Sequence, residues 1–98
     1  MSQIQAQLAV KSPSAEQVAG RVRAFIRDNF YVRDEAALGG DASLIAGGVV
    51  DSTGVLELIE FVEREWGIAV EDREMLPENL DSIARIARFV TRKLGAAG

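Results

Sequence analysis

A chain of 98 residues, 48% hydrophobic and 27% charged, makes one folded domain with a modest core. It has no Cys and no His, which excludes a disulfide framework, a Ser-His or Cys-His nucleophile pair and an ordinary zinc site. Its net charge of −4 argues against nucleic acid and for basic protein partners. No stretch approaches the roughly 20 apolar residues of a membrane span. No basic start followed by an apolar run marks a secretory signal, so a cytoplasmic location is expected.

Residues 1–12 show no sustained period and read as a mobile tail ahead of a domain over residues 13–94. Ser14, with Gln17 three residues on, fits a capping box at the start of a first helix. Val18, Val22, Phe25, Ile26 and Asn29 trace one face of it, and it should stop near Phe30 or Tyr31. From Val32 to Val50 the pattern breaks into a long loop punctuated by Gly39-Gly40 and Gly47-Gly48. Leu38, Leu44 and Ile45 are the residues available to pin this loop to the core.

A second helix is predicted from Ser52 to Trp66, with Val55, Leu58, Ile59, Val62 and Trp66 as its core stripe and Gly67 as its C-cap. The acidic stretch Glu71 to Leu80, interrupted by Pro77, should hold one or two short turns. Asp81 or Ser82 then caps a last helix with the stripe Ile83, Ile86, Ala87, Val90 and Leu94. It should end at Gly95, leaving residues 95–98 as a tail. Arg85, Arg88, Arg92 and Lys93 suit the negative end of that helix and the acidic segment before it, or else an anionic surface. The fold class is therefore all-α: a small antiparallel-type four-helix bundle, with three long helices, a short one and a long first loop.

The chemistry centres on Asp51-Ser52, delivered by Gly47-Gly48-Val49-Val50 to the start of the second helix. Either residue serves as a helix cap. Equally, an exposed Ser52 hydroxyl sits where free N–H groups and the positive end of the helix dipole stabilise a phosphodiester. The readings are compatible if Asp51 caps and Ser52 carries the group. Glu57, Glu60 and Arg64 share the face opposite the core stripe, and Glu63 and Glu65 add to its acidity.

The run Val50-Asp51-Ser52 ahead of Val55-Leu56-Glu57-Leu58-Ile59 resembles the attachment motif of the acyl and peptidyl carrier protein family. Phe61 to Ile68 is similar to that family's acidic end of helix two. Leu80-Asp81-Ser82-Ile83 with Ile86 and Phe89 is similar to the start of its last helix. The resemblance covers residues 14–94. It implies that the chain is not an enzyme but a carrier, in which Ser52, next to Asp51, bears a 4'-phosphopantetheine arm from coenzyme A. The arm's thiol would hold an acyl or aminoacyl group as a thioester. The implied partners are a phosphopantetheinyl transferase, an activating ligase, and an acyltransferase or synthase of fatty-acid or lipid biosynthesis. They would meet a monomer through the acidic face of Glu57, Glu60 and Glu63. Thr53 and Glu60 stand where many fatty-acid carriers place apolar residues, which points toward stand-alone carriers serving a dedicated ligase, including aminoacyl carriers.

Other classes fail on the residues. An aspartic protease needs Asp-Thr-Gly or Asp-Ser-Gly, and Asp51-Ser52-Thr53-Gly54 has one residue too many. A hydrolase elbow needs Gly two before Ser52, where Val50 stands. An EF-hand starting at Asp51 would have Val55 as its fifth residue. The rival is a non-covalent helical adaptor whose acidic face binds a partner while Ser52 only caps.

Overall fold

A computed structural model describes residues 13–97; the tail expected over residues 1–12 lies outside the described residues, as does Gly98. Four helices follow in order: α1 (Ala15–Asn29), α2 (Ser52–Trp66), the short α3 (Pro77–Leu80) and α4 (Ile83–Ala97). Single 3₁₀ turns stand at Glu35–Leu38 and Asp72–Glu74, and no strand occurs among the described residues. The all-α bundle expected from the periodicities is the fold observed.

Local chemistry explains the ends. The Ser14 hydroxyl accepts from the Gln17 N–H while the Gln17 side chain accepts from the Ser14 N–H, closing the capping box at α1. Gly67 ends α2 in the left-handed region, at φ 67°, with its N–H on the Glu63 carbonyl. Only glycine adopts that conformation without strain. Ser82, buried, accepts from the Arg85 N–H and so caps α4 in place of Asp81. Unlike the expectation, α4 runs through Gly95 to Ala97, because a single glycine weakens a helix without breaking it.

Helices α1 and α2 run antiparallel. Arg21 pairs with Glu65, Phe25 stacks on Phe61 at 4.1 Å, and Phe30 abuts Gly54. Helix α4 packs on α1 and also meets α2 and α3. With two chain reversals between them, α1 and α4 run in the same direction, Ala15 and Ala19 lying beside Ala84 and Ala87. Val18, Val22, Ile26, Leu58, Val62, Ile83, Ile86, Phe89 and Val90 form the centre of the core.

The long loop is held by Leu38 and Leu44, both buried, and by Arg23, whose Nε donates to the Leu38 carbonyl. Ile45 departs from the expectation. Leu44 takes the inward position, so the adjacent Ile45 faces out and is 51% exposed. The core stripe of α2 is also displaced. Phe61 and Gly54 are buried and Val55 only partly so, because α1 covers one flank of α2 as well as α4 the other.

The basic end of α4 fastens the acidic segment. Lys93 Nζ donates to both Glu74 carboxylate oxygens at 2.9 and 3.1 Å, Arg85 to the Pro77 carbonyl and Arg92 to the Asn79 side chain. The Glu71 backbone N–H, also donating to the Glu74 carboxylate, is the main force holding its pKa below the usual 4.5, and Lys93 adds to it. A carboxyl lowered on folding stabilises the fold above its unfolded pKa and ceases to do so as pH falls through the folded one. Glu35, lowered by Arg27, acts in the same direction. Thermal midpoints should therefore hold steady down to about pH 4.5 and drop below it. Glu74→Gln should begin lower at neutral pH and lose less on acidification.

Candidate functional site

The start of α2 is built by three neighbours with separate tasks. Asp51, in extended backbone, places Oδ1 2.7 Å from the Gly54 N–H it accepts from, and its carbonyl accepts from Val55 at 2.9 Å. Asp51 is thus the cap. Ser52, the first helical residue, is exposed, and its hydroxyl has no hydrogen-bond partner among the described residues. Gly54 is buried against α1: a Cβ there would lie 2.8 Å from Phe30 Cε1 and 3.2 Å from Val50 Cγ1. Buried Val49 and Val50 anchor the approach, both donating to the Leu44 carbonyl. The double glycine therefore leads into a fixed segment.

A free hydroxyl at the first residue of a 15-residue helix is open to a large group from solvent. The N–H groups of the first turn and the aligned peptide dipoles favour a negative charge there. The surroundings fit a phosphodiester on Ser52, with Asp51 shaping the helix start and its own carboxylate engaged with Gly54. No group of acidic side chains among the described residues is disposed to hold a metal ion.

Of the acidic residues, Glu57 and Glu60 are exposed on one face with Thr53 and Arg64. Glu63 stands apart from them. It is half-buried, and its carboxylate accepts from the Val70 N–H at 2.8 Å, tying the chain beyond Gly67 to α2. Glu65 is paired with Arg21. Leu56 was missed: 56% exposed, it sits one turn from Ser52 beside the acidic face. The signal was half available: Leu56 and Phe61 are the two large apolar residues of α2 off the predicted stripe, and Phe61 is buried while Leu56 is exposed.

Two depressions flank this end. One, of about 320 Å³, lies between the end of α1 and the loop, lined by Tyr31, Arg33, Asp34, Gly47, Gly48 and Val49. The other is smaller and apolar, between α2 and α3, and Val55 carries it to within a turn of Ser52.

No model of a known protein family matches the chain. An acyl carrier protein of Thermotoga maritima is 28% identical over 82 residues, which cover 84% of this chain and 98% of that protein. The chain is similar to that acyl carrier protein. The similarity spans nearly the whole of that protein, agrees with the four-helix bundle, and supports a carrier role in general. No helix among the described residues is long and apolar enough to cross a membrane.

Proposed function

We propose that this chain carries an acyl or aminoacyl group as a thioester on a 4'-phosphopantetheine arm attached to Ser52. The observation that supports it most is the division of labour at α2. Asp51 supplies the cap, so the Ser52 hydroxyl is exposed and spare. A serine needed only as a cap has no reason to stand one residue beyond an aspartate that already does the work.

In the loading step Ser52 Oγ attacks the phosphorus next to the pantetheine of coenzyme A. A new P–O bond forms, the phosphoanhydride bond breaks, adenosine 3',5'-bisphosphate leaves, and the serine proton passes to a base of the transferase. The attached arm supplies the thiol that holds the cargo. The protein's part is to hold Ser52 at a rigid, open helix start, stabilise the phosphodiester with the first turn and present a surface to its enzymes. The absence of Cys leaves the arm as the one thiol for acylation.

Glu57 and Glu60, with Leu56 beside them, form that surface: a charged face that steers basic enzymes and an apolar contact that holds them. The partners it suits are a phosphopantetheinyl transferase, an activating ligase for acyl or aminoacyl cargo, and an acyltransferase or synthase. Glu57→Lys should leave the unfolding midpoint unchanged and slow arm transfer by about tenfold at low salt, the gap narrowing as salt rises. An equal rate at all salt concentrations would remove Glu57 from the recognition surface.

The direct test is intact mass after incubation with coenzyme A and a broad-specificity phosphopantetheinyl transferase. A gain of one phosphopantetheinyl group is expected. No gain in folded protein would overturn the carrier reading in favour of a non-covalent adaptor using the same acidic face.

A further inference from the structure

Helix α2 bears five charged side chains, and the fold uses two of them. Glu63 accepts from the Val70 N–H, and Glu65 pairs with Arg21. The other three, Glu57, Glu60 and Arg64, are exposed and make no ion pair among the described residues. They share one face of the helix with Thr53. Counted from Ser52 at 1.5 Å per residue, Glu57 stands about 7.5 Å away along the axis, Glu60 about 12 Å and Arg64 about 18 Å. The free charge of this face therefore reads negative, negative, positive from the attachment end outward. Glu60 precedes Arg64 by four residues, the favourable order for a helical ion pair, yet no such pair joins them. All three charges are left to an outside partner.

We propose that Arg64 is a specificity-determining residue. It admits an enzyme that is basic opposite the first turns of α2 and acidic opposite the last, and it turns away one that is basic along the whole strip. The proposal rests on the carrier reading and narrows the partner that reading implies. A standard docking surface, about 800 Å² on each side, is wide enough to cover all three charges. Screening makes each of them act locally. The Debye length is about 8 Å at physiological salt, less than half the distance from Arg64 to Ser52. An enzyme lysine or arginine set against Arg64 meets a like charge as both lose water, which costs affinity, whereas a carboxylate there gains a charge-assisted hydrogen bond. The net charge of −4 draws both kinds of enzyme from a distance and does not separate them. An arginine near the end of a helix also suits the negative end of its dipole. That role bears on stability alone, so docking kinetics tell the two apart.

The test measures arm transfer from coenzyme A to the full chain by a phosphopantetheinyl transferase whose docking surface is basic throughout. Arg64→Glu should lower the KM for the carrier about fivefold at low salt with kcat unchanged, the gain fading as salt rises. Arg64→Gln should give part of that gain. Arg88→Glu makes the same change in net charge on α4, beside Ala15 and Ala19, and should leave KM within about twofold. Replacing by Glu the basic residue of the transferase that faces the end of α2 should improve transfer to the wild type and impair transfer to Arg64→Glu. Equal gains from Arg64→Glu and Arg88→Glu would reduce the effect to net charge and overturn the proposal. So would an unchanged KM in folded Arg64→Glu, or a transferase variant that treats both carriers alike. Should Arg64→Glu fold poorly, Arg64→Gln against Arg88→Gln makes the same comparison. A chain that takes up no arm defeats the carrier reading, whereas a chain loaded at one KM in every variant defeats this proposal alone.

Discussion

Ser52→Ala should abolish arm transfer completely while leaving the fold intact. The hydroxyl it removes makes no hydrogen bond among the described residues and is exposed, so the stability change should stay within about 0.5 kcal/mol. Asp51→Ala should do the opposite in stability. It removes the acceptor of the Gly54 N–H and should cost about 0.5–2 kcal/mol. Intact mass after transferase treatment and urea unfolding of both variants separate the two roles. A Ser52→Ala protein that still gained the arm would move the attachment to another hydroxyl, with Thr53 next to be replaced. A Ser52→Ala protein as destabilised as Asp51→Ala would show that the serine shares the cap after all.

Gly54→Ala should destabilise the protein, against the usual rule for helices. In an exposed helix interior alanine is better than glycine by about 0.5–1 kcal/mol. Here the added methyl would stand 2.8 Å from the Phe30 ring, 3.2 Å from Val50 and 3.3 Å from the Asp51 carboxylate. Phe30 is half-buried with its ring edge-on to Phe25, and Val50 is in the core. Overpacking of this kind costs about 1–3 kcal/mol, which outweighs the helix gain. Because Asp51 and Val50 flank the serine, the same strain should reach Ser52 and slow arm transfer. Replacing Phe30 by Leu should absorb part of the cost, and the non-additivity of the double variant in urea unfolding measures the contact. Full additivity would place the origin of the cost elsewhere.

Helix positions were readable because their signals are local. The capping box of Ser14 and Gln17, the left-handed stop at Gly67 and the i, i+3, i+4 stripes each depend on residues within a turn or two of one another. Asp51-Ser52 was readable for the same reason, although which of the two caps was not. Two side chains compete for the same N–H groups, and the backbone angles at Asp51 decide. The rest depends on distant pairings. Leu44 and Ile45 are nearly equivalent in sequence, and the segment that holds them is fixed by Asp81, 36 residues from Ile45. Gly54 looks like a flexible residue until Phe30, just past the end of α1, is set against it. Glu63 looks like one more member of an acidic face until the chain beyond Gly67 folds back and offers the Val70 N–H. In each case the local sequence allowed more than one placement, and a long-range contact chose between them.

The aromatic seam between α1 and α2 also sets what light can report about this protein. Trp66, the single tryptophan, meets the Phe61 ring edge-on at 5.7 Å, and Phe61 stacks on Phe25. It closes α2 at the end opposite Ser52, about 21 Å away along the helix axis at 1.5 Å per residue. Its emission follows the meeting of the two helices, at the end remote from Ser52. Fluorescence therefore reports the parting of α1 from α2 during unfolding, through a residue placed away from the attachment end.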